Sequence, residues 1–119
     1  MALKGSILRY TPPGVPDTAE VLVTPSGNCV AGGDTMSINP KDWTDPNGVG
    51  LLGEPLSVPT SPPTVEVNNL GGAYAQWIVG SSLTNGKIQF FAAGGADFGS
   101  NPYSAGILAG QIILRVPLR

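Results

Sequence analysis

The residues able to do chemistry are few. The 119-residue chain carries eight carboxylates, one cysteine and no histidine. Lack of histidine removes Ser-His-Asp and Cys-His nucleophilic sites, the commonest general base near neutral pH and the commonest zinc ligand. One cysteine, Cys29, can build neither an internal disulfide nor a thiolate metal site, and reads as a small buried hydrophobe. Two facing carboxylates could still hydrolyse a glycosidic bond, and Asp34 with Glu66 is one conceivable pair. Asp42, Asp45 and Asn47 could offer oxygens to calcium. Their D-x-x-D-x-N-G spacing is not that of an EF-hand, and the expectation is that they cap the loop through Asx turns. Gly86-Lys87 lacks the Ser or Thr of a phosphate-binding loop. The expectation is a protein without catalytic residues, cofactor or metal, which is not an enzyme.

Aromatic side chains are the other candidates. Tyr74, Trp77, Trp43 and Tyr103 could form a platform stacking on sugar faces, as in a jelly-roll carbohydrate- or receptor-binding module. The alternative is that they are core, since large aromatics dominate core burial.

The elements that must position these residues are strands. Gly (17) and Pro (12) are abundant, only 12% of residues are charged, and 41% are hydrophobic. Glycine and proline break helices, and no window between them shows a helical stripe. The apolar content is too high and the net charge of −2 too small for a disordered chain. The clearest signal is Ala73 to Ala92. Period-two alternation flanks Asn85-Gly86, the preferred pair for a tight type I′ turn with positive φ at both central residues. Ala73, Ala75, Trp77 and Val79 share one face, and Ile88 and Phe90 alternate with Lys87 and Gln89.

Further strands are expected at Ser6 to Tyr10, Ala19 to Thr24, Thr35 to Ile38, Thr64 to Asn69 and Gln111 to Leu118. In the last, Pro117 implies an edge or a strand end. Residues 1–18, with Pro12, Pro13 and Pro16, read as an extended N-terminal arm or as an edge strand plus loop. Asn39 can cap a single helical turn opened by Pro40. Pro40 to Pro63 is a proline-rich loop, and Ala93 to Ala109 a second long loop. The sum is all-β: one domain over 19–119, a β-sandwich or jelly-roll-like barrel of about seven short strands with long loops and extended arms.

Six dispersed basic residues argue against nucleic acid as a partner. No run reaches the roughly 18 apolar residues of a membrane span, so no membrane is expected. The N-terminus lacks the pattern of a signal peptide, which points to folding in a reducing cytoplasm. Low charge protects poorly against association, and suits a permanently assembled subunit.

Three stretches in this order carry a resemblance: Val30-Ala31-Gly32-Gly33-Asp34-Thr35-Met36-Ser37-Ile38; Gly80 to Phe91 with its Gly86-Lys87-Ile88; and a small-residue loop followed by Ile112-Ile113-Leu114-Arg115-Val116. From Val23 to Arg119 the chain resembles small structural proteins of tailed bacteriophages, in particular capsid decoration, or cement, proteins. The resemblance implies a compact β domain, often trimeric, that clamps neighbouring major capsid subunits on the outer surface of a virion made in a bacterial cytoplasm. The proline-rich middle departs from that pattern. Partner contacts are expected at the arms and loop: Tyr10, Pro12, Pro13, Trp43, Leu51, Leu52, Pro59 and Pro62. Trp43 could instead cap the domain's own core.

Overall fold

The computed structural model describes residues 3–10, 16–45, 47–50, 59–99 and 102–119. Among these residues seven strands form two antiparallel sheets, the two layers of a β-sandwich. The first sheet holds β1 (Lys4–Arg9), β2 (Asp17–Thr24), β7 (Gln111–Leu118) and β4 (Thr64–Asn68), in the order β1-β2-β7-β4. The second holds β3 (Asp34–Thr35), β6 (Lys87–Phe91) and β5 (Tyr74–Ile78), in the order β3-β6-β5.

Alternation in sequence becomes the core because side chains on a strand point to opposite faces. Ile7, Val21, Leu114 and Val65 are directly cross-strand partners, so one apolar row crosses all four strands of the first sheet. The outward row, Ser6, Leu22, Ile113 and Glu66, lies one residue along each strand. In the second sheet Ile88 and Phe90 are buried and pair with Trp77 and Ala75. On the opposite face Tyr74 stacks on Phe91, centroids 5.1 Å apart. One hydrophobic cluster draws on both sheets, with Val21, Leu114, Val116, Ile88 and Ile107 all but fully buried.

Three expectations change. First, of the two readings of residues 1–18, the described part follows the edge strand: Lys4 to Arg9 pair as β1, two residues earlier than expected, and β2 begins at Asp17. The outer side of β1 is itself occupied: Ile7 N–H donates to the Thr44 carbonyl (2.7 Å) and Thr44 N–H to that of Gly5 (3.0 Å). Gly5 permits this close crossing. A Cβ there would stand 2.7 Å from Val21 Cγ1 and 2.9 Å from Met36 Cε. Arg9 and Asp17 form an ion pair where the chain leaves β1 and re-enters the sheet. Pro12 and Pro13 lie outside the described residues.

Second, the hairpin exists but not its tight turn. Ile78 pairs with Lys87, so residues 79–86 form a longer loop. Neither Asn85 nor Gly86 has the positive φ of a type I′ turn. Gly86 is glycine for space: a Cβ would lie 2.2 Å from Trp77 Cζ2 and 2.6 Å from Cη2.

Third, the second long loop contains a helical turn, α1 (Ala105–Ala109). Ser104 caps it, its hydroxyl accepting from Ile107 N–H. Five residues are too few to show a periodic stripe.

The helical turn at Pro40–Asp42 forms as expected, with the Asn39 side chain accepting from Lys41 N–H. Pro117 lies in a central strand, yet beyond the end of β4, whose last partner toward it is Arg115. Its carbonyl accepts from Thr60 N–H on that open side, where a strand residue's missing N–H would also point.

Candidate functional site

A groove of about 380 Å³ lies between the prolyl segment 59–63 and the loop after β5. Its walls are Pro59 to Pro63 on one side and Val79 to Leu83 on the other, with Trp77 and Ile38 also lining it. Among the described residues, no charged or titratable side chain lines it.

Each wall is held by backbone chemistry. Proline cannot donate, so the prolyl segment is tied through its neighbours: Pro59 bridges to Leu118, Thr60 N–H donates to Pro117, and Pro63 is buried. Opposite, Asn85 organises the loop from its far end. Its Oδ1 accepts from Ser82 N–H (2.9 Å) and its Nδ2 donates to Ser81 Oγ (2.7 Å). Ile38 N–H donates to the Leu83 carbonyl and Met36 N–H to that of Gly86, which stitches the loop to the chain following β3. The half-buried Trp77 rests on Gly86. Val79 is left 69% exposed and Leu83 37% exposed, apolar side chains facing water at the rim. Such a surface can bind an uncharged, extended or apolar segment. The polar side chains in its described lining are serine and threonine hydroxyls.

Of the expected contact residues, Pro59 and Pro62 line this groove. Trp43 does not: it is 1% exposed and its Nε1–H donates to the Ser37 carbonyl (3.0 Å). It caps the domain's own core, and Tyr10 meets it edge-on at 6.5 Å. Pro12, Pro13, Leu51 and Leu52 fall outside the described residues.

The sugar platform is not assembled. Tyr103 is buried edge-on against Phe90, Trp43 is core, and of the four aromatics only Trp77 borders the groove. Exposed Tyr74 lies on its own strand face against Phe91.

The carboxylates are also dispersed. Asp34 is inward-facing and buried, accepting from Tyr103 O–H (2.8 Å) through Oδ2 and Thr35 N–H through Oδ1. Burial first, then the Asp34 hydrogen bond, pushes the Tyr103 hydroxyl far above the ordinary tyrosine range. Glu66 points outward from the other sheet and pairs with Arg115 at 3.1 Å. Asp34 and Glu66 therefore do not face each other as a hydrolytic pair.

Asp42 accepts from Ser37 Oγ, while Asp45 Oδ1 accepts the N–H groups of Asn47 and Val49, an Asx turn. Among the described residues no cluster of His, Cys, Asp or Glu could hold a metal. Cys29 is buried, and burial raises its thiol pKa. Asp97 is a structural clasp: the N–H groups of Gly32 and Gly99, then the Gln89 amide, lower its carboxyl pKa.

Ile38, Val79 and Leu83 were not singled out from sequence as contact residues. Alternation put Val79 on the core face of a strand that stops one residue earlier. Comparison with protein-family models, curated proteins and solved structures returned no significant match.

Proposed function

We propose that this chain is a structural protein of a phage virion, a capsid decoration protein that grips neighbouring major capsid subunits and further copies of itself, with a trimer favoured, on the outer surface of the shell. The observation that carries this reading is the groove, uncharged among the described residues, with Val79 and Leu83 exposed at its rim and two of the expected contact prolines in its wall. A surface of this composition is costly to leave in water and suits permanent burial against another chain. The order of motifs along the sequence and the all-β sandwich support the same reading.

Permanent assembly implies a total interface of roughly 2,000 Å² or more. Sedimentation velocity on the purified chain and co-sedimentation with phage capsids test the proposal together. The expected result is a small oligomer that pellets with capsids. A groove variant, Val79→Asp, should weaken that co-sedimentation by about thirtyfold, the effect of one hot-spot side chain. Circular dichroism of the variant should match the parent, because Val79 is outside the core. A chain that is strictly monomeric and never pellets with capsids overturns the reading.

A further inference from the structure

The chain contains two Asn-Gly pairs, Asn47-Gly48 and Asn85-Gly86. Asn-Gly is chemically labile because glycine has no Cβ to keep its backbone nitrogen from the neighbouring carboxamide. That nitrogen attacks Asn Cγ, ammonia leaves, and a succinimide ring closes. Water then opens the ring at either carbonyl, giving aspartate or isoaspartate. The reaction requires a carboxamide free to turn and a glycine peptide free to move.

Solvent exposure does not separate the two asparagines, since both are exposed. Their surroundings do. The Asn85 carboxamide is held at both ends, by Ser82 N–H on Oδ1 and by Ser81 Oγ on Nδ2. Its peptide is packed against Gly80, where a Cβ would lie 2.2 Å from Asn85 Oδ1 and 2.6 Å from Gly86 N. Gly86 is buried against Trp77, and its carbonyl accepts from Met36 N–H. At the other pair, a Cβ on Gly48 would meet nothing within 4 Å, and one turn bond, Gly48 N–H to the Asp45 carbonyl (2.9 Å), is all that holds the attacking nitrogen among the described residues. Asn47 is fixed through its backbone N–H to Asp45 Oδ1, and its side chain makes no hydrogen bond among the described residues.

We propose that Asn47 is a site of spontaneous deamidation in the folded protein, and that the fold shields Asn85 from the same reaction. The product has a structural consequence. Aspartate at 47 puts a second carboxylate beside Asp45, and isoaspartate lengthens the backbone inside the turn that Asp45 organises. That turn leads directly from Thr44, which covers the outer side of β1.

The test is peptide mapping by mass spectrometry, with isoaspartate detection, on the full chain incubated at mildly alkaline pH, folded and in urea. In the folded protein Asn47 should convert roughly tenfold or more faster than Asn85, the ratio expected when two ordinary hydrogen bonds must break first. In urea the two rates should converge. Ser81→Ala, checked for native circular dichroism, should speed conversion at Asn85 and leave Asn47 unchanged. Equal rates in the folded protein would overturn the proposal. So would a difference that persists in urea, since local sequence and not the fold would then set it.

Discussion

Gly86→Ala is the most informative single change, because two explanations of Gly86 predict different couplings. If the glycine served a tight turn, alanine would be penalised by backbone strain at positive φ. The structure gives Gly86 an ordinary φ and a ring in the way. The new Cβ would sit 2.2 Å from Trp77 Cζ2, roughly 1 Å or more inside the separation at which carbon atoms attract. Trp77 or the 79–86 loop must move, and overpacking of this kind costs about 1–3 kcal/mol. The cost belongs to the contact, so it should largely vanish in a Trp77→Leu background. A double-mutant cycle by urea denaturation measures this directly. Expected are a loss of about 1–3 kcal/mol in the parent, a loss under about 0.5 kcal/mol in the Trp77→Leu background, and a coupling of about 1 kcal/mol or more. Tryptophan fluorescence should shift in Gly86→Ala because Trp77 is half-buried and Trp43 is far more enclosed. An equal penalty in both backgrounds would refute the packing argument and return Gly86 to a conformational role.

Four further outcomes follow. Tyr103→Phe leaves one oxygen of the buried Asp34 carboxylate without its donor and should cost about 1–3 kcal/mol in chemical denaturation. Because the hydroxyl pKa is raised on folding, the native state holds its proton where the unfolded chain releases it. The stability contributed by neutral Tyr103 is complete below the unfolded tyrosine pKa of about 10 and declines as pH rises above it, so the parent should lose more stability than Tyr103→Phe between about pH 10 and 11. Asp97 has the opposite sign: its lowered pKa contributes stability above the ordinary carboxylate range that is lost as pH falls through the folded value, so Asp97→Asn should be less stable than the parent at pH 7 and converge with it in acid. Gly5→Ala should cost about 1–3 kcal/mol by melting or urea titration, since its Cβ collides with Val21 and Met36.

Much of this architecture could be read from residue order alone. Strand positions are local properties, set by period-two alternation and by the glycines and prolines that interrupt it. Six of the seven described strands fall where the apolar rows of Ile7, Val21, Val65, Trp77, Ile88 and Leu114 imply. The helical turn at Pro40 follows from Asn39 and the fixed φ of proline, which act within a few residues. The lack of histidine and the single cysteine are plain in residue order too, and rule out a Ser-His-Asp site or a disulfide built within this chain alone.

Only the tertiary structure decided which residues meet. Tyr103 and Asp34 are 69 positions apart, and nothing near either names the other. Trp43 became core because it crosses Gly5 of a strand distant in sequence, and Gly86 because a ring from the opposite strand lies on it. The groove likewise joins a prolyl segment tied to β7 with a loop tied to the chain after β3. Local conformational preference is written residue by residue. Burial and steric fit are properties of pairs, and pairing across a sandwich is settled only when both sheets have closed on one another.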